Sequence, residues 1–203
     1  MLHPHTTLRF VNEQIGFGVF ATAPIPAGTV VWTMDPLDQV LTPEHVARLD
    51  ERTRAVLEVY GYIDGGGNYI LCWDFARFVN HSCEANVLSP GIDVELAVRD
   101  IGAGEEICGD YGAYNIERDL DCGCRRAACR GTVRSADFES YADVWDAQLR
   151  AAATRVTEVE QPLWPWVKDT ELLARAASDP LVLPTVLMHR STTPPAHAPT
   201  RHA

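Results

Sequence analysis

One stretch of the chain is dense in amide, imidazole, hydroxyl and thiol side chains: Arg77-Phe78-Val79-Asn80-His81-Ser82-Cys83-Glu84-Ala85-Asn86. We predict a loop here, after a short helical turn. Side chains of these types bind polar ligands through hydrogen bonds, and a cysteine or histidine is able to ligate a metal. They also satisfy the backbone of their own loop. The segment alone leaves a ligand-binding site and a self-satisfied loop both open.

A second polar segment follows downstream: Gly104-Glu105-Glu106-Ile107-Cys108-Gly109-Asp110-Tyr111-Gly112. The pattern predicts a short strand over residues 106–108 that ends before the tyrosine. A tyrosine beside a carboxylate is able to position a proton donor or acceptor. The alternative is a buried tyrosine at a strand end, whose hydroxyl finds a partner inside the protein.

Upstream, a pair of glycines opens a predicted strand: Gly16-Phe17-Gly18-Val19-Phe20. Glycines allow a backbone to approach a ligand closely, although such a pair is also common in simple turns. The segment is not a dinucleotide-binding fingerprint, because a third glycine is absent at the required place and no helix is predicted after it.

Three thiols cluster at Cys122, Cys124 and Cys129. Residues 1–9 are polar and lack the apolar core of a secretion signal, so we expect a cytoplasmic protein whose cysteines are reduced. Three close thiols then favour a zinc site over disulfides, with three metal-free thiols as the alternative. The fourth zinc ligand must come from elsewhere. The candidates are Cys72, Cys83, Cys108 and the histidines.

In this order, the four segments resemble the SET-domain family of protein lysine methyltransferases. Residues 16–21 are similar to the family's glycine-x-glycine motif, and residues 77–86 to its Arg-Phe-x-Asn-His-Ser-Cys-x-x-Asn signature. Residues 104–111 resemble its Gly-Glu-Glu-Leu-x-x-Asp-Tyr segment. The three clustered cysteines, with Gly131 following, resemble its post-SET element. The resemblance covers about residues 8–133.

The resemblance implies an α+β fold that is mainly β, with small sheets around a pseudoknot in which the Asn80 segment lies beside the Tyr111 segment. It implies S-adenosylmethionine as the methyl donor, a lysine-containing protein or peptide as substrate, and Tyr111 as the catalytic residue. Donor-binding positions would be Gly16, Phe17, Gly18, Val19, Phe20, Asn80, His81 and Tyr111. A structural zinc ion would be held by Cys83, Cys122, Cys124 and Cys129.

Some positions depart from the family pattern. Many members carry an aromatic residue two positions before the catalytic tyrosine, where it limits how many methyl groups fit; here that position is Gly109. We expect the missing ring to leave space for more than one methylation. Candidates to line the lysine channel are Tyr60, Tyr62, Trp73 and Tyr114, and candidates to cover the adenine are Val133, Arg134 and Phe138. Cys72 and Cys108 are expected to be buried, inert thiols.

The chain has 203 residues, of which 46% are hydrophobic, and this predicts one domain with a modest appendage. Such a composition excludes a mainly disordered chain, a collagen-like fibre and a disulfide-dense mini-domain. We predict a SET domain over 1–115 with a helical insert at about 42–60, a post-SET zinc element over 116–133, a helical extension over 134–189 and a disordered tail over 190–203. Within the extension, apolar spacing predicts helices over 136–158 and 171–177. It would act as a lid, a dimer contact or a packed cap.

The net charge of −11 argues against direct nucleic-acid binding and favours a basic partner. The uncharged run over residues 14–34 is interrupted by glycines and prolines, so it predicts short strands and no membrane contact. Two alternatives to a lysine methyltransferase stay open. One is a non-catalytic SET module that binds basic peptides as a scaffold. The other is a methyltransferase for a protein N-terminus or a small amine.

Overall fold

A computed structural model describes residues 1–192, which fold into short strands and helices in an α+β arrangement. The strands are β1 (Thr6–Asn12), β2 (Gly16–Ala21), β3 (Val30–Thr33), β4 (Gln39–Leu41), β5 (Tyr62–Ile63), β6 (Tyr69–Leu71), β7 (Asn80–His81), β8 (Val87–Leu88), β9 (Val94–Ala97), β10 (Glu106–Gly109), β11 (Leu120–Asp121) and β12 (Thr132–Val133). The α-helices are α1 (Pro43–Ala47), α2 (Glu51–Tyr60), α3 (Asp137–Ser140), α4 (Ala142–Ala153) and α5 (Thr170–Ala176). Short 3-10 helices cover Phe75–Phe78, Tyr111–Ala113, Trp164–Trp166, Pro180–Val182 and Val186–His189.

The sheet that organises the site has the strand order β1-β2-β10-β7. β2 pairs with β1 and with β10 in antiparallel fashion, whereas β10 and β7 run parallel, with Cys108 opposite Asn80 and Gly109 opposite His81. The two polar segments of the sequence therefore lie side by side, as the pseudoknot arrangement requires. The predicted fold class is confirmed.

Asn86 fastens the loop after β7 to strand β10. It is 1% exposed, its side-chain oxygen accepts the Cys108 backbone N–H at 2.8 Å, and its amide nitrogen donates to the Glu106 carbonyl at 2.8 Å. The Ser82 backbone N–H adds a bond of 2.9 Å to the Gly109 carbonyl. A buried amide that satisfies two backbone groups makes this crossing of the chain rigid.

The C-terminal helices cover the three-stranded sheet β3-β9-β8. Phe138, Trp145 and Leu149 share one buried cluster with Val30 and Leu96 of that sheet. Because the helices and the sheet bury the same apolar surface, the segment after the cysteines is a packed cap on this sheet. The remaining sheets are the three-stranded β4-β6-β5 and the pair β11-β12.

The predicted helix at 42–60 is two helices. Thr42 caps α1, its hydroxyl accepting the His45 backbone N–H at 3.3 Å as the sequence predicted, and Asp50 caps α2 by accepting the Thr53 N–H at 3.0 Å. The second cap explains the break, since an aspartate with extended backbone starts a new helix more readily than it continues an old one.

The predicted helix at 136–158 is also divided and is shorter, because α4 ends at Ala153. The Gln161 side chain donates to the Val156 and Gly28 carbonyls at 2.9 and 2.8 Å, and this draws the chain back across the sheet. At the other end of the extension, the predicted disorder is wrong for Arg190, whose guanidinium pairs with Glu139 at 2.9 Å. The rest of the predicted tail, from residue 193, lies outside the described residues.

Candidate active site and metal centre

Tyr111 begins the short 3-10 helix that follows β10. Its backbone N–H donates to His81 Nδ1 at 3.1 Å, and its hydroxyl donates to the Val79 carbonyl at 2.9 Å. Burial raises the pKa of Tyr111 well above its usual value. The hydroxyl is therefore protonated at neutral pH and acts as a fixed hydrogen-bonding group.

Tyr111 forms part of the wall of a cavity of about 860 Å³. The aromatic side chains that line this cavity are Trp32, Tyr60, Tyr62, Tyr69, Tyr111 and Tyr114. Tyr60, Tyr62 and Tyr114 were predicted as channel residues and do line this cavity. Trp73 lies outside the lining, because its indole N–H is turned to Asp35 Oδ2 at 2.9 Å. A cavity of this size and lining is suited to an apolar chain that ends in a cationic or amine group.

The aromatic rings form a continuous row along the cavity. Ring centroids lie 6.2 Å apart between Trp32 and Tyr62, 5.9 Å between Tyr62 and Tyr114, and 5.9 Å between Tyr114 and Tyr111. Each ring thus supports the next, within the range in which aromatic pairs attract one another.

Glu95 is a site residue that the sequence reasoning missed. It lies on β9 opposite Trp32 of β3, and its carboxylate accepts a short hydrogen bond from the Tyr114 hydroxyl. Burial raises the pKa of Glu95, and the bond from Tyr114 opposes that rise. A glutamate between Val94 and Leu96, in a strand that otherwise reads as fully apolar, was the signal available in the sequence.

The space expected at Gly109 is filled. A Cβ placed on Gly109 would lie 2.9 Å from the Tyr114 hydroxyl oxygen and 3.7 Å from two carbons of that ring. The space directly beside Gly109, where an aromatic side chain would begin, is therefore occupied by Tyr114, three residues after Tyr111. The expectation of free space at that point is wrong, whereas the number of methyl groups transferred stays a prediction.

The glycine motif, Asn80 and Glu106 meet across the main sheet. The Asn80 amide nitrogen donates to the Phe17 carbonyl at 3.0 Å and to Glu106 Oε1 at 2.8 Å. A Cβ on Gly18 would come within 2.8 Å of the same amide nitrogen and 2.3 Å of Glu106 Oε1, so a larger residue there would displace both side chains. Of the predicted donor-binding residues, Phe17 and Gly18 of β2 and Asn80 of β7 thus meet at one point of this sheet.

The predicted metal ligands also come together. Ligand atoms of His81, Cys83, Cys122 and Cys124 all lie within 4.8 Å of one another. The Cys83 and Cys122 sulfurs are 3.6 Å apart, and tetrahedral zinc with bonds of about 2.3 Å would hold two sulfurs about 3.8 Å apart. Cys129 is a side-chain neighbour of Cys122 and Cys124. Five donor side chains therefore surround a site that needs four.

Of the candidate adenine covers, Phe138 lies in the hydrophobic core with no exposed surface, so that expectation is wrong for this residue. Cys72 and Cys108 are buried, as predicted. Burial raises the pKa of the Cys108 thiol to about 12, so it carries no thiolate at neutral pH.

Arg130 joins the cysteine cluster to the Tyr111 segment. Its backbone N–H donates to the Cys83 sulfur at 3.4 Å, and its guanidinium bonds Asp110 and lies 3.3 Å from Asp137. Asp110 in turn accepts the Gly112 N–H at 3.0 Å. The loop that carries the cysteines and the turn that begins at Tyr111 therefore share one buried ion pair.

The sequence of this chain matches a known protein family. The sequence model of the SET-domain family matches residues 16–112. These residues form a SET domain. It contains the glycine motif, the Asn80 segment and Tyr111, whereas Cys122, Cys124 and Cys129 lie beyond its end. Over the described residues, no helix combines the length and apolar character that a membrane span needs.

Relatives of this SET domain are much larger proteins. The chain is 30% identical over 143 residues to histone-lysine N-methyltransferase ATX2 of Arabidopsis thaliana, a match that covers 61% of this chain and 12% of that protein. It is 30% identical over 146 residues to histone-lysine N-methyltransferase SETD1 of Drosophila melanogaster, covering 62% and 8%. The crystal structure of KRYPTONITE with mCHH DNA, an H3(1-15) peptide and SAH is 21% identical, with a TM-score of 0.46 over 66% of this chain and 30% of that one.

Proposed function

We propose that the protein is an S-adenosylmethionine-dependent methyltransferase that acts on lysine side chains of a protein substrate. The observation that carries the proposal is the position of the Tyr111 hydroxyl, at the wall of an aromatic cavity and beside the Asn80 segment of the SET domain. The relatives, named as histone-lysine N-methyltransferases, support the same reaction class.

The fit of the donor rests on β2 and β7. Gly18 lets the side chains of Asn80 and Glu106 lie against β2, and the Asn80 amide holds the Phe17 carbonyl in place. S-adenosylmethionine supplies a methyl group on a sulfonium sulfur when bound. Alignment of such a donor with an acceptor amine accounts for several kcal/mol of a displacement barrier.

The cavity prepares the acceptor. A lysine ammonium that enters an aromatic, largely buried cavity loses hydration, and this lowers its pKa and favours the neutral amine that attacks the methyl carbon. Tyr111 keeps its own proton because burial raises its pKa. Its hydroxyl oxygen then serves to orient the amine and does not act as a base.

A basic peptide is the substrate class that the charge pattern favours. Carboxylates outnumber cations in the cavity lining, which includes Glu51, Glu58, Asp64, Asp93, Glu95 and Glu117 against Arg54, Arg77, Arg118 and Lys168. The chain as a whole carries a net charge of −11. Carboxylates around an entrance attract and orient cationic segments. We therefore propose a lysine flanked by further basic residues.

We also propose a structural zinc ion held by Cys83, Cys122, Cys124 and Cys129. The choice of Cys129 over His81 rests on the His81 ring. Its Nδ1 accepts the Tyr111 N–H, which leaves the ring proton on Nε2, 3.4 Å from the Cys83 sulfur. A protonated ring nitrogen donates to a thiolate but does not bind a metal. Four protein ligands close the site, so the zinc is structural.

The test has two stages. S-adenosylmethionine is first titrated calorimetrically into zinc-loaded protein and into Asn80→Ala. The protein is then incubated with methyl-labelled donor and either core histones or a histone H3(1–15) peptide, and methylation sites are mapped by mass spectrometry. Tyr111→Phe should lower the rate by about 100-fold, the effect of losing one positioned hydrogen-bond group. Tyr141→Phe makes the same chemical change outside the cavity and should leave the rate unchanged.

Each other outcome identifies a rival. A folded, zinc-loaded protein that binds no donor would contradict the proposal and favour a peptide-binding scaffold. Donor binding with methylation of α-amino groups or small amines, and none of lysine, would identify a different acceptor.

A further inference from the structure

Among the described residues, six carboxylates line the aromatic cavity, and three of them are held by hydrogen bonds inside the protein. Asp64 accepts backbone N–H groups of its own turn at 2.9 and 2.8 Å. Glu117 accepts the Tyr69 hydroxyl at 2.8 Å. Glu95 accepts a short hydrogen bond from Tyr114. These three carboxylates already serve the fold, so a substrate cation must find another.

Asp93 differs from them, because its carboxylate meets a charged side chain that lines the same cavity. The Lys168 Nζ atom lies 3.5 Å from Asp93 Oδ2. Lys168 is the single lysine of the chain. Of the cations in the cavity lining, it is the only one that forms an ion pair within residues 1–192. The cavity thus contains a resident ammonium group beside a carboxylate.

This ion pair is open to solvent and easily broken. The side chains of Lys168 and Asp93 are 63% and 51% exposed, and 3.5 Å is long for a charge-assisted hydrogen bond. Exposed pairs of this kind contribute little to stability, because each long side chain is well solvated when it is free. The ammonium group is therefore able to leave Asp93 at small cost.

The backbone on both sides of the pair is fixed, so only side chains need to move. The Asp93 carbonyl accepts the Met34 N–H at 3.0 Å and the Thr33 hydroxyl at 3.3 Å. Val167, which precedes Lys168, is 7% exposed and packs in the core beneath the C-terminal helices. When the Lys168 side chain turns away, Asp93 stays as a fixed anion in the cavity wall.

Asp93 lies at a suitable distance from Tyr111 to meet a neighbour of the target lysine. Burial raises the pKa of the Tyr62 hydroxyl, and charge on nearby groups, Asp93 among them, raises it further, so Asp93 lies near this ring. Tyr62 is two ring spacings of 5.9 Å from Tyr111, by way of Tyr114. An extended peptide advances about 3.3 Å per residue, so a long side chain two or three positions from the target lysine spans this distance.

We propose that Asp93 binds a basic side chain two or three positions from the methylated lysine, and that Lys168 is a built-in competitor that holds Asp93 until this side chain displaces it. The inference rests on the proposed function and narrows its substrate class. Arginine is the basic residue best suited to the exchange, because its planar guanidinium binds both carboxylate oxygens, whereas the Lys168 ammonium is a point charge. A neutral neighbour does not compensate Asp93, so the competitor selects against it.

The experiment uses peptides built on the core-histone lysine that the wild type modifies, with all other neighbours neutral. Arginine or its neutral isostere citrulline is placed at each of the four positions two or three residues before or after that lysine. For one of these positions, the wild type should show a KM about tenfold lower for arginine than for citrulline, the effect of one hydrogen-bonded charge, with kcat unchanged.

Variants of Asp93 and of a second carboxylate separate this contact from general attraction. Asp93→Asn should raise the KM of the arginine peptide to that of the citrulline peptide. The matched variant Glu58→Gln removes another carboxylate of the same lining and should keep the difference between the two peptides. Calorimetric titration of S-adenosylmethionine confirms that each variant retains its donor site.

The role of the competitor is tested by a double-mutant cycle. Lys168→Met should lower the KM of the arginine peptide about threefold, because the anion no longer has a resident partner, and should leave that of the citrulline peptide unchanged. Lys168→Arg keeps a cation and should not lower the KM. In the Asp93→Asn background, Lys168→Met should have no effect, since no anion is left to compete for.

Two results would overturn the inference while the proposed function stands. One is a wild type with equal KM values for arginine and citrulline at all four positions. The other is a Lys168→Met effect of the same size with and without Asp93, which general repulsion of a cationic peptide by Lys168 would produce. A wild type that binds donor and methylates no lysine would overturn the proposed function, and this inference with it.

Discussion

Arg130, which follows the last clustered cysteine, forms a buried ion pair with Asp110, the residue before Tyr111. The side chains are 10% and 3% exposed. His81 also lies near Asp110, with its Nδ1 3.6 Å from the carboxylate. Because burial lowers the pKa of His81, its ring contributes little positive charge at neutral pH. The position of the turn at Tyr111 therefore depends on a residue of the cysteine loop.

Arg130→Met should lower the free energy of unfolding by about 3–5 kcal/mol, because it leaves the Asp110 carboxylate buried without a cation. Lys168→Met breaks the exposed ion pair with Asp93 and should cost less than about 1 kcal/mol. Urea denaturation of zinc-loaded protein measures both. Equal effects of the two substitutions would show that the buried pair contributes no more than a surface pair.

Gly109→Ala tests the contact with Tyr114 without any substrate. The added carbon would stand 2.9 Å from the hydroxyl oxygen, and overpacking of this kind costs about 1–3 kcal/mol. In the Tyr114→Phe background the oxygen is gone, so the same substitution should cost about 1 kcal/mol less. Additive effects in this double-mutant cycle, measured by thermal and chemical denaturation, would place the hydroxyl elsewhere.

Zinc content distinguishes the fourth ligand. Cys124→Ala and Cys129→Ala should lose the metal, measured by elemental analysis after dialysis, and should melt at lower temperature than the wild type. His81→Ala and the buried Cys72→Ala should retain it. Metal retained by Cys129→Ala and lost by His81→Ala would assign the fourth position to the histidine.

Acid should destabilise the fold partly through His3. Burial, and secondarily the charge of His5, lowers the pKa of His3 to about 4 from 6.5. Below pH 6.5 the unfolded chain binds a proton that the folded chain does not, so stability falls until the pH reaches about 4.

The His3 contribution should amount to about 2 kcal/mol at pH 5. The fall in unfolding free energy between pH 7 and pH 5 should therefore be smaller by that amount in His3→Gln. The exposed His45→Gln serves as control and should fall as the wild type does. A His3→Gln protein with the full wild-type acid sensitivity would show that His3 accepts its proton freely in the fold.

Much of the site could be predicted because its chemistry lies in short local segments. The polar run around Asn80, the segment ending at Tyr111 and the three clustered cysteines are recognisable by residue type and spacing, and the structure brings them together. The helix boundaries were less predictable. Asp50 starts a new helix, and Gln161 turns the chain after α4, through contacts that apolar periodicity does not report.

The amino-acid order was sufficient for the identity of the SET segments, the fold class and the group of thiols, because each depends on residues close together in the chain. Only the tertiary structure decided which buried charged groups meet at the site. Glu95 and Tyr114 are separated by 19 positions, and Arg130 and Asp110 by 20. These contacts arise from the stacking of separate sheets and loops, and a buried charge is tolerated only where that stacking supplies its partner.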